Sequence, residues 1–500
     1  MSSSSSGDNN NWSSNLSFVL AGVGSAVGVA NLWRFPYQAG ENGGAAFVLV
    51  YLLSVVLIAL PLLKAELFIG RRGGGSSVEA FRTLTGKGRG SRYWEAIAWI
   101  GMITSFLILT FYSIIAGWVL YYCAEISQNL FARVGVEGVS ALSGGAFEGE
   151  TAENVVARFS HLSRSPNTMI LCHGIFILMV CAVVSRGVKD GIEKATNLLM
   201  PGFFVLLLLL TVVALLRGDA SAAVNFLFAP DFDKLADQFA NGQILISAVG
   251  QAFFSVGLGA ALMITYGLYV GRDQNIPKAA RLIAFADTGV ALVAGLAIFP
   301  IVFAFGLEPS QGPGLMFVTL PIAFNQMAFG GVVSIAFFFM AFFAAFTSAI
   351  SLFEACVAYF GGAKGLSATE RRTRRKKGAA LTATGIFVIG IANVYSIQPL
   401  DADEGFWNTW YPLEWVPLFS GKTLFDVLDV MTTNILMPAG ALFTSIFVGY
   451  VLSRNDSREE LSQLSHAQYQ VWRFLVRYIC PAFIFLILLW GAIVTPMTGS

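Results

Sequence analysis

Apolar residues occur in long runs that recur along the whole chain of 500 residues. A helix needs about 20 apolar residues to cross the hydrocarbon core of a bilayer. We therefore predict an all-α integral membrane protein with about eleven transmembrane helices, which we number spans 1 to 11. The predicted spans lie at residues 15–38, 45–70, 93–126, 167–185, 193–217, 242–270, 280–306, 331–360, 379–396, 423–452 and 473–494.

Composition and the placement of charge agree with this class of protein. The chain is 56% hydrophobic and only 12% charged, whereas about a quarter of the residues in soluble domains are charged. Basic residues collect in alternate connections, most densely in the run R-R-T-R-R-K-K at 371–377. The positive-inside rule then predicts a cell-membrane protein with a cytoplasmic N-terminus and an extracellular C-terminus. We interpret the basic run as a loop that fixes topology, in preference to a lipid-binding or nucleic-acid-binding patch.

Spans 1 and 6 are interrupted in the same way. Small residues and glycines break span 1 at S-A-V-G-V-A, residues 25–30, and span 6 at S-V-G-L-G, residues 255–259. Backbone that is not helical is tolerated at membrane depth only where it is buried in protein or lines a cavity. Gly24 and Gly28 could instead form a GxxxG face for helix packing. The matching breaks favour a central binding site over that alternative.

The two broken spans lie five spans apart and therefore run in opposite directions, which is typical of an inverted repeat. We predict a disordered cytoplasmic tail at residues 1–11 and a first repeat of spans 1–5 at residues 12–217. The second repeat, spans 6–10, covers residues 218–452, and residues 453–500 hold span 11 and a short tail.

Unwound turns and nearby polar side chains together indicate a site for a small cation and a carboxylate. Exposed carbonyls can replace the water around the cation, and helix N-termini suit the carboxylate. Side-chain oxygens are available from Asn31, Ser255, Asp287, Thr347 and Ser348. Asp287 is the strongest of these signals because an acid at membrane depth is costly, although it could make a structural hydrogen bond between helices. The Thr-Ser pair could equally bond its own helix backbone.

Four motifs carry a resemblance to a known family. They are N-L-W-R-F-P-Y-Q-A-G-E-N-G-G-A-A-F (31–47), A-V-G-Q-A-F-F-S-V-G-L-G (248–259), G-P-G-L-M-F-V-T-L-P (312–321) and F-T-S-A-I-S-L-F-E (346–354). These motifs resemble the neurotransmitter:sodium symporter family, with the pattern of its prokaryotic amino-acid transporters, and the resemblance runs from about Trp12 to the end of the chain. It implies the leucine-transporter-like fold, a 5+5 inverted repeat with unwound helices 1 and 6, and sodium-coupled amino-acid symport by alternating access.

The resemblance also implies the residues that bind two sodium ions and the substrate. The first ion would be held by Ala26, Asn31, Ser255 and Asp287. The second ion would be held by Gly24, Val27, Ala344, Thr347 and Ser348. The substrate would contact Ala26, Val29, Ala30, Ile108, Tyr112, Phe254, Ser255, Gly257, Ala260, Ser348 and Leu352.

Gates are implied on both sides of this site. Arg34 and Asp429 would close the outer side over Tyr112 and Phe254, with Asp426 as a rival partner for Arg34. The family's inner gate often pairs an N-terminal Arg with an Asp after span 8, but this chain has Asn9 and Gly362 at those positions. We therefore expect the inner side to close by packing, with Trp12 as the plug.

Departures from the family pattern narrow the expected substrate. Members that carry monoamines have an Asp where this chain has Gly28, so the substrate here should bring its own carboxylate. The small residues Gly257 and Ala260 leave room for a bulky aliphatic or aromatic side chain, and the absence of charge favours a neutral L-amino acid.

A second departure concerns chloride. The chloride site of eukaryotic members would fall at Tyr51, Gln251, Ser255 and Ala291, and Ala291 lacks the hydroxyl. Asp287 stands where those members have Asn, and its own negative charge offsets the bound cations. We predict transport that does not depend on chloride, with proton exchange at Asp287 on the return step.

The main alternative is a proton-coupled amino-acid transporter or exchanger of the same fold, but no Lys lies in the middle of span 5 to replace the second sodium ion. An enzyme is not expected, since the three His and five Cys show no catalytic or metal-binding spacing. Lys64 and Glu66 are interpreted as snorkelling or structural. The expected partners are the amino acid and the lipid bilayer, without nucleic acid, and the chain could be a monomer or a homodimer.

Overall fold

The computed structural model describes residues 11–86, 92–145, 147, 150–230, 242–307, 314–362, 367–397 and 406–491. Across these residues the regular secondary structure consists of helices, which confirms the predicted all-α class. The predicted tail, apart from residue 11, lies outside the described residues, and so does Asn9.

One or two helices correspond to each predicted apolar run. Span 1 consists of two helices, Asn15–Ala26 and Val29–Glu41, which meet at an angle of 59°. Span 6 is also divided, into Gln243–Val256 and Leu262–Gly267. Within the described ranges, nine further helices are long and apolar enough to cross a membrane: Ala45–Gly73, Arg92–Ser143, Pro166–Val184, Val188–Arg217, Ile276–Ala304, Gly330–Gly361, Ala368–Ser396, Leu424–Val451 and His466–Leu489. That each run crosses the bilayer stays a prediction.

Local sequence determines where these helices begin. Ser14 caps the first helix by accepting a hydrogen bond of 3.0 Å from the Ser17 N–H. Span 9 begins at Ala368 because Ser367 and Glu370 form a capping box, in which each side chain satisfies a backbone N–H of the other residue. This start lies before the predicted position at residue 379. The basic run 371–377 is therefore helical, and its interpretation as a loop is wrong.

The helices divide into an inner and an outer group. The most apolar segments of spans 2, 3 and 8 are 72%, 78% and 72% buried within the protein, whereas those of spans 4, 5 and 11 are 33%, 33% and 28% buried. Apolar helices that leave most of their surface open are suited to lipid contact. The two broken spans pack among the inner helices, which surround the site with protein.

Candidate substrate and ion site at the two helix breaks

The break in span 1 exposes backbone oxygens and an N-terminus. The first helix ends at Ala26, and Val27 and Gly28 take extended conformations, with φ/ψ of −75°/106° and −128°/−173°. The helix resumes at Val29. The Asn31 side chain stabilises the turn, because its Oδ1 accepts a 2.9 Å hydrogen bond from the Gly28 N–H. Carbonyls before the break are thereby released from helical hydrogen bonding.

Glycine is required for the break in span 6. Gly257 and Gly259 have φ angles of +70° and +79°, a region that is costly for residues with a Cβ atom. A buried acid supports this turn, since Glu66 Oε1 accepts a 2.8 Å hydrogen bond from the Gly259 N–H. The Glu66 side chain is fully buried, so its structural interpretation holds and snorkelling is excluded.

The residues predicted for the first sodium ion meet at one point. The amide nitrogen of Asn31 lies 3.1 Å from Ser255 Oγ and 2.8 Å from Asp287 Oδ1, and Ser255 Oγ donates to the same carboxylate oxygen at 2.8 Å. Asp287 Oδ2 is buried and has no hydrogen-bond partner among the described residues. Ala26 lines the adjoining cavity. The buried hydroxyl and carboxylate oxygens of Ser255 and Asp287 suit a hard cation, and the Asn31 amide holds them in place.

The residues predicted for the second ion also converge. Ser348 Oγ lies 3.3 Å from the Gly24 carbonyl oxygen and 3.1 Å from that of Val27. Thr347 Oγ1 lies 3.2 Å from the Ala344 carbonyl oxygen and bonds its own helix. Ser348 instead reaches across to span 1, so helix self-bonding does not account for the pair. Three carbonyls and two hydroxyls, without a formal charge, form a second group of oxygens suited to sodium.

A cavity lies between the two groups of oxygens. Ten of the eleven predicted substrate residues line it, and Val29 is buried outside its lining. Four further lining residues were not predicted as substrate contacts. Leu262 and Met437 among them carry no polar signal that would have marked them in an apolar span. The cavity is lined by Ser25, Ala26, Gly28, Ala30, Ile108, Tyr112, Phe254, Ser255, Gly257, Ala260, Leu262, Ser348, Leu352 and Met437.

Polar groups at one end of the cavity surround Gly28. A Cβ atom placed on Gly28 would lie 2.9 Å from Ser348 Oγ and 3.6 Å from Tyr112 Oη. The Tyr112 hydroxyl is buried, lies near the Val29 backbone and Ser348, and has no geometrically well-formed hydrogen bond among the described residues. The N-terminus of the helix that starts at Val29 faces the same break. A hydroxyl donor and a helix N-terminus together are suited to a carboxylate.

The outer gate is only half formed. The Arg34 guanidinium lies 4.3 Å from the centre of the Phe254 ring, which forms a cation–π contact over the cavity. Arg34 does not form the predicted direct ion pair with Asp429, since no N–O distance between them is within 4.0 Å, although the opposite charges remain electrostatically coupled. The rival partner Asp426 is engaged elsewhere, because its carboxylate accepts a 3.0 Å hydrogen bond from the Thr423 hydroxyl.

Trp12, the predicted plug of the inner side, is packed against the second half of span 6. The Trp12 side chain is 5% exposed. Its indole N–H donates to the Tyr266 carbonyl at 3.3 Å, and its backbone N–H donates to the Tyr269 carbonyl at 3.1 Å. The indole also packs edge-on against the Tyr266 ring at 5.3 Å. Trp12 and the second half of span 6 are thus held together.

A polar network that the sequence did not predict continues from Tyr269. Tyr269 Oη donates to Glu354 at 2.5 Å, and Glu354 forms an ion pair with Arg375. Arg375 also donates to the Val184 carbonyl at 2.9 Å. The predicted closure of the inner side by packing alone therefore leaves out these hydrogen bonds and this ion pair. The basic run concealed Arg375, because the sequence does not distinguish which of its cations turns inward.

Tyr51 lies beside the first cluster, since it interacts electrostatically with Asp287. Within the described ranges, Tyr51 Oη and both amide atoms of Gln251 are buried without hydrogen-bond partners. Ala291, one helical turn after Asp287, is fully buried and offers no hydroxyl here. These are the positions at which the resemblance would place chloride in eukaryotic members.

Comparison with known proteins decides the family. The model of the sodium:neurotransmitter symporter family matches residues 9–132 and 149–398. The chain belongs to the sodium:neurotransmitter symporter family. Symporters of this kind are sodium-dependent membrane transporters and not enzymes.

Relatives of this symporter support the assignment, two of them along nearly its whole length. An uncharacterized sodium-dependent transporter of Bacillus subtilis, YhdH, is 35% identical over 96% of each chain. A sodium-dependent neutral amino acid transporter of Pongo abelii, B(0)AT2, is 27% identical over 58% of this chain and 40% of its own length. Among solved structures, MhsT in complex with L-phenylalanine is 35% identical, with a TM-score of 0.82, and covers 97% of this chain and 100% of its own. This match confirms the leucine-transporter-like class of fold.

Proposed function

We propose that this symporter couples the uptake of neutral L-amino acids, with bulky hydrophobic or aromatic side chains, to the inward movement of two sodium ions. The observation that carries the proposal is the convergence of two buried oxygen clusters, around Asp287 and Ser348, on one cavity. An amino acid in this cavity would add its carboxylate oxygens to the first cluster.

The lining of the cavity supports a neutral, bulky substrate. None of its side chains is charged, and the polar groups lie near Gly28, Tyr112 and Ser255. The rest of the lining is apolar, so a charged side chain would lose its hydration without a partner. The phenylalanine complex of MhsT, a protein of the same fold, is consistent with this choice.

Alternating access is part of the proposal because the two breaks join the halves of the protein. The ion clusters connect span 1 with spans 6, 7 and 8. Sodium binding would stabilise the unwound turns, and the substrate would fill the space between them. Opening the inner side would then require release of Trp12 from span 6 and disruption of the Glu354–Arg375 network.

Chloride independence is proposed from Asp287. Its carboxylate is an acid fixed within the protein beside the cation ligands, and it can offset the charge of the ions without a second anion. Proton exchange at this acid on the return step is part of the same proposal.

Uptake by the purified protein in liposomes tests this function. We expect accumulation of labelled phenylalanine or leucine with a sodium gradient, little uptake when choline replaces sodium, and unchanged uptake when gluconate replaces chloride. Empty liposomes control for leakage. Equal uptake in choline would contradict symport, and a strict chloride requirement would contradict the role of Asp287.

A second prediction concerns the size of the cavity. Ala260 is fully buried, and its carbonyl accepts a 2.5 Å hydrogen bond from Ser105, which fixes the backbone at this position. Ala260→Phe should therefore fill space that an aromatic substrate uses. We expect aromatic uptake to fall by about tenfold or more while alanine uptake changes by less than about threefold, since losing a well-packed contact costs a few kcal/mol. Equal losses for both substrates would show that Ala260 does not determine side-chain size.

A further inference from the structure

A second cavity opens on the basic face of the protein, the face that the positive-inside rule assigns to the cytoplasm. It lies between the short helix Ser77–Thr85, the end of span 8 and the start of span 9, and it shares no lining residue with the central cavity. Its lining consists of Ser76, Val78, Glu79, Arg82, Tyr359, Phe360, Arg374 and Lys377.

Two of its cations are available to a ligand. Arg82 forms ion pairs with Glu79 at 3.0 Å and with Glu95 at 2.9 Å, so these three charges are engaged with one another. Arg374 and Lys377 form no ion pair within 4.0 Å in the part of the chain that the structure describes, although the Glu370 carboxylate one helical turn earlier interacts electrostatically with Arg374. They are three residues apart on one helix and so lie on the same face. An anion held between them would relieve their mutual repulsion.

The cavity lies beside residues typical of a membrane surface. Tyr359 lines it, and its ring contacts that of Trp99 at a centroid distance of 5.1 Å. The two side chains remain 39% and 41% exposed. Tyr and Trp with one open face are enriched at the level of the lipid headgroups. Arg374 and Lys377 precede the apolar part of span 9, which begins near residue 379, and so lie at the same level.

We propose that this cavity binds the phosphodiester headgroup of an anionic phospholipid. Arg374 and Lys377 would contact the phosphate, and the Tyr359–Trp99 pair would pack against the glycerol and the upper acyl chain. The basic run thus has a binding role in addition to its effect on topology. Arg375, between these two cations, turns inward to Glu354, so the bound headgroup would hold the helical turn that also closes the inner side.

Native mass spectrometry of the full-length protein in detergent tests the proposal, with phosphatidylglycerol and phosphatidylcholine offered at equal concentration. We expect the wild type to prefer phosphatidylglycerol, and Arg374→Ala/Lys377→Ala to weaken that preference about tenfold. Arg372→Ala/Lys376→Ala, which removes the same charge from exposed positions of the same helix outside the cavity lining, should retain most of the preference. Equal losses in both double variants, or none in the first, would overturn the site.

Two additional arms separate the remaining possibilities. Arg374→Lys/Lys377→Arg keeps both charges and should keep the preference; its loss would mean that charge at these positions is not the determinant. Inorganic phosphate in large excess should leave phosphatidylglycerol bound, because a free ion lacks the contacts of the acyl chains. Displacement of the lipid by phosphate would overturn the lipid assignment in favour of a site for free phosphate.

Discussion

Gly28→Asp is expected to lower the uptake of zwitterionic amino acids by about 100-fold or more. The new carboxylate would start from a Cβ atom 2.9 Å from Ser348 Oγ and 3.6 Å from Tyr112 Oη. The Tyr112 hydroxyl is the donor proposed for the substrate carboxylate. Two like charges about 4 Å apart repel by about 4 kcal/mol at an effective dielectric constant of about 20. Liposome uptake of labelled leucine or phenylalanine measures the loss.

Gly28→Ala is the matched control, because it adds the Cβ atom without the charge. Gly28 has a φ of −128°, which a residue with a side chain can adopt. We expect the control to keep at least about a third of the wild-type uptake, since a 2.9 Å approach to a hydroxyl can be relieved by rotation of Ser348. A loss in Gly28→Ala as large as in Gly28→Asp would contradict the charge argument.

Phenethylamine, an amine without a carboxylate, offers a further test of Gly28→Asp. In sodium buffer it should stabilise Gly28→Asp against thermal unfolding more than it stabilises the wild type.

Asp287→Asn should reduce sodium-driven uptake in chloride-free buffer by about 10-fold to 100-fold. The substitution keeps the side-chain volume but removes the negative charge next to Asn31 and Ser255. Loss of a charge near a cation in a buried site costs a few kcal/mol. The dependence of initial uptake on sodium concentration, measured with gluconate as the anion, reports the effect.

Asp287→Asn/Ala291→Ser extends this test. The added hydroxyl would lie one helical turn from position 287, in the group that contains Tyr51 and Gln251. We expect chloride to restore uptake in this double variant and to have no effect on the wild type. Ala291→Ser alone is the control and should remain independent of chloride. If the double variant ignores chloride and still transports at the wild-type rate, Asp287 does not replace an anion.

The apolar runs predicted the helices well because hydrophobicity over about 20 residues is a strong signal. They predicted the start of span 9 poorly. A capping box at Ser367 and Glu370 begins this helix within a polar stretch that hydropathy assigns to a loop. Arg and Lys are good helix formers, so charge alone did not indicate where the helix started.

The residues around the two breaks were predictable because their glycines and polar side chains are conspicuous in apolar segments. Contacts that depend on the orientation of long side chains were not. Arg375 is one of several neighbouring cations, and only the fold shows that it reaches Glu354. Likewise, Arg34 contacts the Phe254 ring and forms no direct ion pair with Asp429. Which of these two partners Arg34 contacts depends on the conformation of the protein.

The way in which the second group of oxygens is built has an evolutionary consequence. Backbone carbonyls of Gly24, Val27 and Ala344 form most of it, and point mutation cannot exchange a carbonyl for another group. Side chains such as Leu262 and Met437 form part of the cavity wall instead, and each can be replaced by a single codon change. Under the proposed function, such transporters are therefore expected to change the preferred amino acid more readily than the coupling ion.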